Sequence, residues 1–117
     1  MLLGAGRRIR MCLMVFAVRP DASRPFVFAS NRDEFHDRPA RPARFWPDEP
    51  HVLAGRDEKA GGTWAGCTRS GAFAALSNYR DLDDRRPDAP SRGELVRRFL
   101  VEEPDPESYL SEVADRA

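Results

Sequence analysis

Four polar side chains follow one another without a spacer at Asn31-Arg32-Asp33-Glu34, directly after the apolar run Phe26-Val27-Phe28-Ala29. With Cys12, which follows Met11, and with Asn78, they are the residues whose types suit nucleophilic chemistry at a carbonyl. A chain begun at Met11 and stripped of that methionine would start at Cys12. An amino-terminal cysteine carries nucleophile and base together, because its α-amine titrates near roughly 7.7 to 8.0 and can take the thiol proton at neutral pH. Attack on an amide or ester carbonyl also needs an oxyanion donor, which Asn78 or backbone N–H groups can supply. Asp33 or Glu34 can hold an ammonium, and Arg32 can stabilise a thiolate by its charge. Each residue also has a plainer reading. Cys12 suits a buried core cysteine, Asn78 a turn, and the four polar residues the solvated cap of a turn. Cys67, between Gly66 and Thr68, reads as core packing.

The elements that must position these groups are two hairpins. Cys12 to Val18 is an unbroken apolar run of strand length, consistent with a strand covered on both faces. Arg19 to Pro25 carries turn residues, and Phe26 to Ser30 resumes as the second strand. Pairing about Ala22 sets residues whose numbers sum to about 44 opposite one another, so Cys12 is expected across from Arg32. Gly61 to Arg69 and Ala72 to Tyr79 flank Ser70-Gly71, a two-residue hairpin turn that sets Thr63 opposite Asn78. The small residues Gly61, Gly62, Ala65 and Gly66 allow close approach to the backbone or relieve packing against Trp64.

Between the hairpins, His36 to Pro50 holds Pro39, Pro42, Pro47 and Pro50, which argues against a helix or a central strand. An extended, ordered loop anchored by Phe45 and Trp46 is expected, then a short strand over His51 to Gly55 and a charged surface turn over Arg56 to Ala60. Arg80 to Pro90 reads as loop. Ser91 as N-cap with Glu94 as capping box predicts a helix over about 92 to 102, with Leu95, Val96, Phe99 and Leu100 as its apolar stripe. A second helix follows Asp105, with Tyr109, Leu110 and Val113 on its apolar face. This order predicts an α+β fold, a sheet layer covered by helices.

Charge and cysteine usage exclude several classes. Basic and acidic residues balance at 19 each, which gives no electrostatic case for nucleic acid or an anionic membrane. Lys59 is the only lysine, and the arginines cluster tightly only at Arg7-Arg8-Ile9-Arg10, Arg85-Arg86 and Arg97-Arg98, a bias that reads as codon composition rather than a binding patch. No apolar run approaches the roughly 20 residues of a membrane span, and Met1 to Met11 lacks the h-region of a signal peptide, so a cytoplasmic protein is expected. Two cysteines and two histidines, His36 and His51, match no metal spacing, and no metal or cofactor is expected.

The chain resembles the NRDE family, also called the transport and Golgi organisation protein 2 family. Its name motif stands at Asn31-Arg32-Asp33-Glu34, after Met11-Cys12. The likeness continues through Arg38-Pro39, Phe45-Trp46, Leu53-Ala54-Gly55-Arg56-Asp57, Gly61-Gly62-Thr63-Trp64, Ser77-Asn78-Tyr79-Arg80 and Ser91-Arg92-Gly93-Glu94-Leu95. The resemblance implies an αββα sandwich like that of amino-terminal-nucleophile (Ntn) hydrolases. It implies Cys12 as nucleophile and Asn78 as oxyanion donor. By spacing, Asn31 falls where that group has arginine and Glu34 where it has aspartate, and the acid role stays open between Asp33 and Glu34. The expected activity is hydrolysis of a C–N amide bond in a small molecule. The alternatives are a non-catalytic carrier of a hydrophobic ligand such as haem or an acyl lipid, or a fragment with no activity. Residues 1–11 are expected to be an extension outside the fold, and 12–117 the N-terminal portion of a longer domain.

Overall fold

β-branched and aromatic residues at adjacent positions give β1 (Met14–Asp21) and β2 (Arg24–Ser30), an antiparallel pair. In this computed structural model residues 12–78 and 89–116 are described, and they fall into two units, 12–34 with 77–78 and 35–76 with 89–116. The expected extension over 1–11, Tyr79 and most of the loop from Arg80 to Pro90 lie outside the described residues.

In the first unit the register runs Met14 to Ser30, Phe16 to Phe28 and Val18 to Phe26, every pair summing to 44 as expected, with an irregularity before Asp21 and Arg24. The turn is closed by Asp21, whose carboxylate accepts from the Ser23 and Arg24 backbone N–H groups at 2.9 and 3.0 Å. The Arg24 guanidinium, and after it the Ser23 hydroxyl, hold that carboxyl down at about 2. Strand alternation puts Met14, Phe16, Val18, Phe26 and Phe28 on one face and Val15, Ala17, Val27 and Ala29 on the other. Both faces are therefore apolar. The Phe16 ring sits 5.2 Å from Phe28 and 6.1 Å from Phe26, yet Val15, Phe16 and Val18 are 54, 52 and 73% exposed.

The second unit is a four-stranded antiparallel sheet in the order β3 (Ala40–Phe45), β4 (Val52–Asp57), β5 (Ala65–Thr68), β6 (Phe73–Ala75). Within the proline-bearing stretch expected to be a loop, Ala40–Phe45 is thus a strand, while the residues on either side of it, 36–39 and 46–50, are irregular or turn. This strand lies at the sheet edge, and its register breaks between Arg41 and Arg44, so Pro42 falls where the ladder is already interrupted. Trp46 anchors the end of β3 as expected, 2% exposed with its indole N–H donating to the Ala54 carbonyl at 3.1 Å, while Phe45 stays 43% exposed under the Arg69 guanidinium. The strand expected over His51 to Gly55 runs on to Asp57. Asp57 is buried instead of lying in a surface turn.

The β5–β6 hairpin turns at Ser70-Gly71 as expected, with Gly71 at φ +97°. Its pairs, such as Gly66 with Ala74, sum to 140 and the ladder ends at Ala65 and Ala75, so the expected Thr63–Asn78 pair falls outside it. Thr63 instead donates its backbone N–H to Gly93 at 3.2 Å, at the start of α1 (Gly93–Glu102). Helix α1 packs on β4, β5 and β6 through Val96, Phe99 and Leu100, each burial stabilising by about 1.5–3 kcal/mol. Leu95, expected on the same stripe, is 39% exposed. The capping box does not form: Arg92 is the N-cap residue with no side-chain cap, Ser91 contributes its carbonyl to the Glu94 N–H, and Glu94 pairs with Arg97. For α2 (Pro106–Asp115) the expected cap is present, Asp105 accepting from the Ser108 N–H at 2.9 Å. Tyr109 is buried, its ring 5.4 Å from Phe99 and its hydroxyl donating to the Leu95 carbonyl at 2.7 Å, and Val113 packs beside this core, but Leu110 is 66% exposed. The fold class is α+β, with two small antiparallel sheets and two helices among the described residues.

Candidate functional site

At the head of the first hairpin, Asn31 ties the two strands together. Asn31 accepts the Leu13 backbone N–H on its side-chain Oδ1 at 2.7 Å and returns its own backbone N–H to the Leu13 carbonyl at 3.2 Å. These two bonds carry the strand pairing one step beyond the Met14–Ser30 pair and leave Cys12 next outward, one residue past the last bonded pair. Asn31 therefore works as a side-chain extension of the ladder, which a hydrophobic residue there would not supply. Cys12 is partly exposed and forms no disulfide, so it is not sealed in a core. Cys67, in β5, is likewise a partly exposed free thiol.

After Asn31 the chain keeps its polar groups close. The Arg32 guanidinium lies 4.0 Å from the Glu34 carboxylate, with both side chains 21% exposed. At that exposure solvent reduces the pair's worth to the order of 1 kcal/mol. Asp33 offers its backbone carbonyl to the Asn78 carboxamide, Nδ2 donating at 3.2 Å. Asn78 thus belongs with the first hairpin, although the sequence attaches it to the second. All six candidate residues, Cys12, Asn31, Arg32, Asp33, Glu34 and Asn78, fall in one unit. The unit therefore holds a thiol, a guanidinium, two carboxylates and two carboxamides, group types that occur in acyl-transfer sites.

Other residues of the resemblance motifs are structural. Arg38 donates from Nε and Nη2 to one oxygen of Asp57 at 2.9 and 2.6 Å, while the other oxygen accepts the Lys59 and Ala60 N–H groups at 3.0 and 3.3 Å. Burial works to raise the Asp57 carboxyl, but Arg38 and these two N–H donors outweigh it, and the net position is below the usual carboxylate range. Gly55 and Gly62 leave room for neighbours: an added Cβ would meet the Trp64 ring at 2.6 Å and the Gly93 backbone at 2.6 Å, respectively. His51 lies 3.2 Å from the Val101 carbonyl. Among the described residues no three His, Cys, Asp or Glu side chains come together as a metal site, and no helix is long and apolar enough to cross a membrane. Sequence reading missed the Arg38–Asp57 lock, for which the only signal was an aspartate ending an apolar strand.

Fold and site together define an α+β protein that presents a cysteine at the head of an antiparallel hairpin, beside a polar strand end. The sequence model of the family described as Transport and Golgi organisation 2 matches residues 11–117. The mouse Transport and Golgi organization 2 homolog is 43% identical over 112 residues, covering 89% of this chain and 40% of the mouse protein. The human homolog is 41% identical over 113 residues, with the same shares, and the fruit-fly (Drosophila melanogaster) Transport and Golgi organization protein 2 is 28% identical over 109 residues. The chain spans about 40% of the length of the mouse and human relatives. It belongs to the Transport and Golgi organisation 2 family.

Proposed function

We propose that this chain acts as a cysteine hydrolase of a C–N amide bond, on an αββα Ntn-type sandwich, with Cys12 as the mature amino-terminal nucleophile. The observation that supports the reading is the Leu13–Asn31 pair, which fixes the strand head one residue from Cys12, with Asn78 bonded to Asp33 in the same unit. In the reaction the Cys12 thiol passes its proton to its own α-amine, and the sulfur attacks the amide carbon. Asn78 and backbone N–H groups stabilise the oxyanion, and Arg32 supplies positive charge near the thiolate. The α-ammonium then protonates the leaving amine, the C–N bond breaks, and water hydrolyses the thioester to release the acid and restore the thiol. Asp33 or Glu34 orients the ammonium.

A second reading is favoured by a different observation. The hairpin is apolar on both faces and well exposed, which suits a carrier that binds a hydrophobic cargo, haem or an acyl lipid, without catalysis. Intact-mass measurement of the protein from its native source separates the two. A mature chain that keeps residues before Cys12 defeats the hydrolase mechanism. A chain beginning at Cys12 should be labelled by an electrophilic acyl probe, with labelling abolished in Cys12→Ser. Cargo binding that survives Cys12→Ala, with no amide hydrolysis by the unaltered chain, favours the carrier.

A further inference from the structure

A cavity of about 140 Å³ lies against the β3–β4 ladder, within the second unit, and its walls include Arg41, Pro42, Arg44, Trp46, Asp48 and Arg56. These residues are scattered in sequence, and the register gathers them. Arg41 stands directly across from Arg56, an arrangement of like charges on one face that costs stability unless anions neutralise it. The break after Arg41 absorbs Pro42 and brings Arg44 opposite Ala54, on the side where alternation also puts Arg56. Three guanidinium groups therefore border one small space.

Two of them are neutralised within the fold. Arg41 Nε donates to Glu58 Oε1 at 2.5 Å, and Arg56 Nη1 reaches both oxygens of Asp48 at 2.6 and 2.8 Å while its guanidinium lies 4.4 Å from the centre of the Trp46 ring. The Arg56 guanidinium holds the Asp48 carboxyl below its usual range, so that carboxylate is ionised and its charge is matched. Arg44 has no ion-pair partner among the described residues. The cavity wall thus carries three cations and one anion, Asp48; with Glu58, which pairs with Arg41 from outside the lining, two of the three cations are matched and the surplus falls on Arg44.

We propose that this cavity binds an oxyanion group, a phosphate or a carboxylate of a small molecule, with Arg44 as its principal anchor and Arg41 as the second donor. A guanidinium matches the paired oxygens of either group with two parallel N–H donors. The volume holds about five waters at their liquid share, and so a phosphate or a carboxylate with a few further atoms. Pro42 and Pro47, both in the lining and exposed, offer the remaining atoms an apolar surface. The site is independent of Cys12 and stands or falls apart from the hydrolase reading.

The test is titration of the full chain with inorganic phosphate and, separately, with acetate, at constant ionic strength made up with chloride, followed by amide chemical shifts of residues 41 to 56. Saturable shifts with either anion are expected, and the anion that binds tells phosphate from carboxylate. Arg44→Gln, an exposed position away from the core, should weaken binding about tenfold or more with the spectrum of the rest of the unit unchanged. Glu58→Gln, which releases Arg41 from its ion pair, should strengthen it. Shifts that rise linearly with both anions without saturation, or binding that Arg44→Gln leaves intact, would overturn the proposal.

Discussion

Alanine at Gly62 tests how the β5–β6 hairpin is joined to α1, because two effects there have opposite signs. Gly62 has no positive φ, so on backbone grounds alone alanine would stabilise the protein by about 0.4–1 kcal/mol through loss of unfolded-state freedom. The space contradicts this. An added Cβ would stand 2.6 Å from the Gly93 carbonyl carbon, 2.7 Å from its oxygen and 3.0 Å from the Glu94 nitrogen, where ordinary contact begins at 3.4 Å. The neighbours are all backbone atoms and a Cβ is fixed rigidly to its own backbone, so no side chain can rotate away. Relief requires α1 to retreat from Thr63, stretching the 3.2 Å bond from its N–H to the Gly93 carbonyl. Overpacking at about 1–3 kcal/mol and a weakened hydrogen bond at about 1 kcal/mol exceed the entropic gain, so a net loss of about 1–3 kcal/mol is expected. Each kcal/mol lowers the melting temperature of a chain this size by about 4–8 °C. Urea unfolding followed by far-ultraviolet circular dichroism measures the difference. Gly71→Ala serves as the contrast, since its Cβ would meet nothing and only the φ of +97° opposes it, at a cost of about 1 kcal/mol. A Gly62→Ala protein as stable as the parent, or more so, would refute the close-approach reasoning.

Two further outcomes follow from named contacts. Asp57→Asn removes the charge from a pair whose side chains are only 9 and 24% exposed, and should cost about 2–3 kcal/mol in urea unfolding at neutral pH, below the full buried-pair value because Arg38 keeps some solvent. The folded Asp57 carboxyl lies below its unfolded value, so its contribution is complete above the unfolded value of about 3.9 and is lost as the pH falls through the folded one. Stability measured against pH should accordingly fall less steeply at the acid end in Asp57→Asn than in the parent. At the helix starts, Asp105→Ala should cost about 1 kcal/mol, whereas Ser91→Ala, which removes no side-chain cap, should change stability by less than about 0.5 kcal/mol. Equal losses from the two substitutions in paired melts would show that Ser91 caps α1 after all.

What could be read from the chain without its structure was whatever neighbouring residues determine. The Met14–Ser30 register came from an uninterrupted apolar run, a turn at Ala22 and the two-residue period of a strand, all of which are local. Asp105 was legible as a cap because the acceptor and the Ser108 N–H it serves lie within one turn. Family membership was legible too, as an ordered series of motifs. The remainder depended on which distant segments meet. Pro42 argued against a strand until a sheet edge with a broken register accommodated it. Ser91 met the local pattern of a capping box, but Gly93 is engaged by Thr63 and Glu94 by Arg97. Asn78 belonged by sequence to the second hairpin and by contact to the first, where it bonds Asp33. Arg41, Arg44 and Arg56 looked dispersed until β3 paired with β4. Hydrophobic periodicity and turn chemistry act over a few residues and can be read along the chain. Burial, edge position and the convergence of charges are properties of segments brought together in space, and only the tertiary structure decided them.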